Sequence, residues 1–394
     1  MKKNIFILLL LISIVFGCDL LFQEKSEWTV LVYMAADNGL NQSAINDIIQ
    51  MEKAHISDDV KVVVQIDFNE NESGMTGYEG TTRYLISKNN YDEIGSEVLM
   101  ELGDINSGKL ESLVDFVNWG LDKYPSERNS LIIWSHATGW RNNEKYIGID
   151  GGETISVSQG ELHNAFAQFE KNIDILAFDA CNMQSIEVVA EVEEFTDYVI
   201  GSEDGIPTSG FPYHNIFDDW NPTYSTLEIC DIISSKFYDS YLPGGSQNPQ
   251  DINYNISFSV VNANKYKQFF DRLDLFAEKW LQQDDFSQFI EARQSCYEFN
   301  DMQMDIDALN YFTELKDVAD NNIDLAIDCN EIIENIDELC PKQYSFNYPD
   351  FVGTFSICFP KTTEEYDSIS SIYNGLIYSD SMFYQLIQEI ITHN

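Results

Sequence analysis

The stretch Ile173–Gln184, IDILAFDACNMQ, decides the reading of this chain. Its first six residues, Ile173–Phe178, are mostly apolar and predict a buried strand. The run stops at Asp179-Ala180-Cys181. A helical pattern follows over Asn182–Glu194, with Met183, Ile186, Val189 and Ala190 facing inward. A thiol that closes a strand and opens a helix stands where open parallel sheets place their chemistry, outside the carboxyl ends of the strands. A second apolar strand, Leu131–Ser135, ends in the same way at His136. A cysteine thiolate is a strong nucleophile, and a nearby imidazole activates it and later protonates a leaving amine. Taken singly, a cysteine after a strand is more often a core thiol, and a histidine at a strand end more often a loop histidine. The pair, at two strand ends of one sheet, sets a Cys–His hydrolase beside those plainer readings.

Outward from this stretch, buried strands alternate with amphipathic helices. Trp28–Met34, Val60–Phe68 and Tyr198–Ser202 are further strands, and Thr81–Ser87 is a hairpin-like excursion. Leu110, Leu113, Val114, Val117 and Leu121 share one helical face, which Pro125 ends. Ser158-Gln159-Gly160-Glu161 fits a capping box for a helix carrying Leu162, Phe166 and Phe169. Such alternation predicts a parallel sheet covered on both faces. The run Pro243–Pro249, PGGSQNP, is the best boundary or linker candidate. Beyond it the pattern is mostly helical, near 263–283, 284–298, 305–319, 323–340 and 379–392. Two strand-like runs, Asn255–Val261 and Phe351–Pro360, interrupt it and either extend the first sheet or form a small one. The expected class is therefore α/β, a mostly parallel sheet flanked by helices with a largely helical C-terminal region. The expected division is a core over 28–245 and a region over 246–394 that completes or packs on it.

At 394 residues, 44% hydrophobic and 13% aromatic, the composition is that of a folded chain. A net charge of −44 excludes the basic footprint needed for nucleic acid or anionic lipid, and reads as a solvated, self-repelling surface. Residues 1–17 read as a signal: Lys2 and Lys3, the apolar run Ile5–Phe16, then Gly17-Cys18. The run is too short to span a membrane comfortably. It resembles a bacterial lipoprotein signal, with Cys18 the lipidated first residue and 18–27 a polar tether. An ordinary secretory signal is the alternative, since Phe16 is bulky for the lipoprotein pattern. Of the other cysteines besides Cys181, namely 230, 296, 329, 340 and 358, none forms a CxxC pair, and buried inert thiols are expected.

The segments WTVLVYMAADNGL, LIIWSHATGW, ILAFDACNMQSIEV and GSEDGIPTSGFPY, from about Trp28 to Tyr213, resemble the clostripain family of cysteine peptidases. That family shares a caspase-like fold with caspases, legumain and gingipains. The resemblance implies that Cys181 attacks the scissile carbonyl and that His136 serves the leaving group. It implies backbone N–H groups of Ala137 and Cys181 as the oxyanion donors. Glycine is usual where Ala137 stands, so a site that needs positive φ there would be strained. Asp179 would lie by the S1 pocket and select Lys or Arg at P1; its alternative role is to cap the following helix. A second acid is usual where this chain has Ser209, while Glu203 and Asp204 are near but out of register. Arg141 and Lys145 lie in the loop between the catalytic strands, where some members are matured by self-cleavage.

No cofactor is required by a Cys–His dyad. Some members respond to calcium, and Asp301, Asp305 and Asp307 leave room for it. They lack the Gly and terminal Glu of an EF-hand loop and read better as a solvated helix face. The expected protein is a monomeric, lipid-anchored endopeptidase of the bacterial cell envelope, acting on peptides or proteins through a thioester acyl-enzyme. The rival readings are a non-catalytic, surface-anchored peptide-binding protein and a Cys–His transpeptidase on the same fold.

Overall fold

A computed structural model describes residues 25–141, 147–150, 152–299, 304–319 and 322–393. The signal, Cys18 and most of the tether lie outside them. The strands, in chain order, are β1 (Ser26–Ala36), β2 (Val60–Phe68), β3 (Gly80–Leu85), β4 (Glu97–Gly103), β5 (Ser126–Trp134), β6 (Ile147–Asp150) and β7 (Glu153–Ile155). Then come β8 (Ile173–Asp179), β9 (Thr196–Gly201), β10 (Ile256–Asn262), β11 (Asp305–Asp307), β12 (Lys342–Phe346) and β13 (Ser356–Cys358). Nine of them form one sheet in the order β12-β10-β9-β8-β5-β1-β2-β3-β4. The central five, β9-β8-β5-β1-β2, are parallel, and the flanking strands are antiparallel.

Strand β1 shows why the apolar runs are continuous. Val30, Val32 and Met34 point into one core and Leu31, Tyr33 and Ala35 into the other, so both faces are buried. On the first face lie α1 (Asn41–Lys53), α5 (Tyr213–Asp219) and α6 (Thr226–Tyr241). The second face carries α2 (Leu110–Lys123), α3 (Glu161–Phe166) and α4 (Ile186–Val192). It also carries the C-terminal helices: α7 (Tyr266–Trp280), α8 (Ser287–Ser295), α9 (Ala308–Val318), α10 (Ile323–Leu339), α11 (Thr363–Tyr373) and α12 (Met382–Thr392).

Several local expectations change. The PGGSQNP stretch does not separate two cores, because β10 and β12 continue the sheet that holds β8 and β9. Asn248 is buried there; its amide donates to the Tyr241 and Ile252 carbonyls (2.9 and 2.7 Å), tying the turn down. Residues 305–307 are strand rather than helix, and pair with β13 in a separate two-stranded sheet. Of the run Phe351–Pro360, only Ser356–Cys358 is strand. The capping box at Ser158 does not form. Gly160 takes the N-cap position in a left-handed conformation, and Glu161 instead accepts the Ser156 N–H at 2.7 Å. Capping boxes do form at Ser225/Glu228 and Thr362/Glu365. Edge strands β4 and β12 carry largely exposed or half-exposed residues, so they lack the apolar signature of the inner strands.

Candidate active site

Register places the two key residues. In the parallel pair β5/β8, Trp134 faces Asp179, and the Ser135 N–H donates to the Asp179 carbonyl at 3.4 Å. His136 and Cys181 are each two residues beyond that last pair. They leave the sheet side by side at its carboxyl edge and line one cavity of about 230 Å³, with Leu40, Trp134, Asp179, Ile206 and Gly210 also in its wall. A larger hollow of about 640 Å³, between His55–Asp59 and Asp218–Tyr224, lies at the amino-terminal end of β2 and holds neither residue.

The helix expected directly after Cys181 starts later, at Ile186, where Ser185 Oγ caps it by accepting from Val188 N. Asn182 turns the chain instead. Its φ is 59°, its N–H donates to the Asp204 carbonyl and its side chain to the Glu203 carbonyl, both at 3.2 Å. The half-buried thiol of Cys181 receives the N–H of Ile206 at 3.3 Å. His136 is exposed at the cavity mouth, yet protein packed against its ring lowers its pKa below the ordinary 6.5 by desolvation. Ala137 is buried, and it is not among the described non-glycine residues with positive φ. Glycine is therefore not required there; Gly139, at φ 71°, takes the left-handed position in this loop. The remaining described cysteines are buried, and burial pushes all five thiols up.

Asp179 forms the cavity floor. Its Oδ2 accepts from Phe211 N (3.1 Å) and Tyr213 Oη (2.9 Å), while its buried Oδ1 has no hydrogen-bond partner. It caps no helix. Burial raises its pKa to about 7 against the lowering effect of the two donors. Gly210 (φ 56°) lets the loop lie against the carboxylate, since a Cβ there would sit 2.9 Å from both oxygens. Ser209 is exposed, and its carbonyl accepts from Gln247 Nε2 at 3.2 Å; its neighbours Thr208 and Gly210 line the cavity. Glu203 and Asp204 are buried elsewhere, accepting from Ser257 Oγ and Tyr348 Oη respectively. Asp47, on α1, was not singled out by the sequence reading. It is buried and accepts from Trp134 Nε1 at 2.9 Å. The sequence signal is an acid at position 47 on the inward stripe of Ala44, Ile48 and Met51.

Arg141, one of the two basic residues of the loop between the catalytic strands, is buried and ion-paired with Asp305, and the preceding Trp140 meets Tyr373 edge to face at 4.7 Å. Lys145 lies outside the described residues, as does Asp301. Asp307 does not face solvent either: its carboxylate accepts from the N–H groups of Asn310, Gly353 and Thr354. Among the described residues no group of three or more His, Cys, Asp or Glu is gathered as a metal site.

A sequence model of the clostripain family, Peptidase_C11, matches residues 32–383. The chain belongs to the clostripain family. Clostripain of Hathewaya histolytica is 26% identical over 228 residues, which span 50% of this chain and 42% of that protein, less than half of its length. This clostripain-family chain also shares its fold with solved structures. One is an inactive zymogen C11 protease from Parabacteroides distasonis (TM-score 0.67, 19% identity, covering 93% of this chain and 99% of that one). Another is a secreted C11 cysteine protease from Bacteroides thetaiotaomicron in complex with an irreversible peptide inhibitor (TM-score 0.61, 19% identity, 92% and 99%).

Proposed function

We propose that this chain is a cysteine endopeptidase that cleaves after Lys or Arg through a Cys181–His136 dyad. The observation that carries the reading is the shared register: one cavity receives a thiol and an imidazole from adjacent parallel strands, with the buried Asp179 carboxylate as its floor. His136 takes the proton of the Cys181 thiol, and Sγ, as thiolate, attacks the scissile carbonyl carbon. The developing oxyanion is held by the N–H groups of Ala137 and Cys181, donors of a kind worth about 3–4 kcal/mol each. His136 gives its proton to the leaving amine, and a thioester remains on Sγ. Water, deprotonated by His136, then hydrolyses the thioester and frees the thiol. The unpartnered Oδ1 of Asp179 suits a guanidinium or ammonium arriving on the P1 side chain.

The basic and apolar segments ahead of Cys18 support export and lipid anchoring at the bacterial cell envelope. The description of the B. thetaiotaomicron protease as secreted agrees with export. The test is to incubate wild-type protein and Cys181→Ala with a diverse peptide mixture, with and without calcium and reductant, and read new termini by mass spectrometry. Cleavages after Lys and Arg that vanish in Cys181→Ala are expected. Identical products from both proteins, or none, would overturn the peptidase, and ligated peptides would favour a transpeptidase.

A further inference from the structure

The turn over residues 243–249 folds back onto the end of α6. The Gly245 N–H donates to the Leu242 carbonyl (2.8 Å) and the Gln247 N–H to the Ser240 carbonyl (3.0 Å). A Cβ at Gly245 would sit 2.3 Å from the Ser240 oxygen, so only glycine permits this approach. Asn248 fastens the far side, its Oδ1 accepting from Ile252 N at 2.7 Å. The backbone of Gln247 is thus fixed from both sides. Its half-buried side chain reaches across to the loop that follows β9, where Nε2 donates to the carbonyls of Ser209 (3.2 Å) and Phe211 (3.4 Å). The carbonyl between them, that of Gly210, accepts from Tyr241 Oη at 2.7 Å. Three successive carbonyls are therefore held from α6 and the turn behind it.

This loop is the cavity wall that faces the Asp179 carboxylate. Gly210 lines the cavity, with room for no Cβ between it and the carboxylate oxygens, and Phe211 N donates to Asp179 Oδ2 at 3.1 Å. The wall therefore hangs between Asp179 on the inside and Gln247 with Tyr241 on the outside. Neither of the outer pair lines the cavity, so neither touches a substrate in it. The start of the same loop is tied separately to the nucleophile's turn, through Asn182 to the carbonyls of Glu203 and Asp204. The Gly210 N–H closes the short turn between the two halves on the Pro207 carbonyl at 3.0 Å. Release of the outer bonds frees Ser209–Phe211 to move off the floor and leaves the Cys181 half in place. Water entering the widened pocket would weaken a carboxylate–cation pair there.

We propose that Gln247 is a positioning residue for P1 recognition: with Tyr241 it holds the Ser209–Phe211 wall against Asp179 and so sets the width of the pocket that receives the P1 side chain. The proposal rests on the Lys/Arg reading of the cavity. The stretch PGGSQNP, which reads in sequence as a boundary, then belongs to the specificity apparatus. Its effect falls on binding of the P1 side chain and not on the thiol or the imidazole, which are carried by β8 and β5.

The experiment uses Gln247→Met, which keeps the length of the side chain and loses the donor, and Tyr241→Phe, which loses only the hydroxyl. With Lys and Arg peptides, Gln247→Met should raise KM about three- to tenfold, while kcat stays within about twofold of wild type. Tyr241→Phe should move KM in the same direction. Benzamidine, titrated calorimetrically into Cys181→Ala protein with and without Gln247→Met, should lose affinity by a similar factor. Iodoacetamide carries no P1 side chain and should alkylate Cys181 of the Gln247→Met protein at the wild-type rate, a result that a generally loosened site would not give. Unchanged KM and benzamidine affinity, or kcat and alkylation changing as much as KM, would overturn the proposal while leaving the Lys/Arg pocket intact. A protein with Gln247 in place that neither binds benzamidine nor cleaves after Lys or Arg would overturn both.

Discussion

Glu187→Gln on helix α4 should invert its effect on stability with pH. Glu187 is fully buried; its Oε1 accepts from Cys358 N (2.9 Å) and Tyr373 Oη (3.0 Å), and its Oε2 has no partner. Burial, then the charge of Asp305, raises its pKa from the ordinary 4.5 to about 7, against the lowering effect of these donors. A raised acid favours the fold when protonated. Its contribution is fully present below pH 4.5 and is lost as pH climbs through about 7. The gap of about 2.5 pK units corresponds to about 3 kcal/mol, most of it lost between pH 5 and pH 8. Glutamine keeps the two accepted hydrogen bonds and cannot ionise, but its NH₂ replaces Oε2 where no acceptor waits, a pH-independent cost of about 1–2 kcal/mol. The variant should therefore be about 1 kcal/mol less stable than wild type near pH 5 and about 1–2 kcal/mol more stable near pH 8. Urea unfolding followed by tryptophan fluorescence at the two pH values measures this. A stability difference that is the same at both would refute the assignment of a buried, protonated Glu187.

Gly210→Ala should push a methyl group against the Asp179 carboxylate and force alanine to φ 56°. Left-handed backbone and overpacking together predict a loss of roughly 2–4 kcal/mol, with KM for Lys and Arg substrates rising more than kcat falls. An unchanged urea midpoint would show that the loop relaxes freely. Arg141→Met leaves Asp305 buried without its cation and should cost about 3–5 kcal/mol; Arg141→Met/Asp305→Leu should recover much of that. A double variant no more stable than the single one would mean that packing around Trp140, not the ion pair, holds this loop.

The parallel core was legible because its strands are buried on both faces, and β-branched runs such as Val62–Val64 within β2 have few other solutions. The meeting of His136 and Cys181 at one cavity was legible for the same reason, since register carries adjacent strand ends to one edge. What stayed hidden depends on partners distant in sequence. Nothing around Arg141 announces Asp305, and nothing around Asp47 announces Trp134; each pair forms only when the fold closes. Edge strands β4 and β12 escaped because one side of each lacks a neighbour, so selection there is for polarity rather than for an apolar face. The Ser158 capping motif misled because its spacing matched while Gly160, at φ 72°, supplied the helix start instead.

The turn that carries Cys181 is braced from far away. Gln184, three residues on, gives its carbonyl to Ser356 N at 2.9 Å, and Ser185 bridges to Ser356. Strand β9 likewise keeps an open edge until β10 arrives. A growing chain that has emerged only as far as Cys181 thus lacks the buttress for its turn and the strand that closes its sheet. The turn after Cys181 is braced only once residue 356 has been made. The order of residues along the chain acts as a timer, leaving the Cys181 thiol without its surroundings until a segment 175 residues further on has been made.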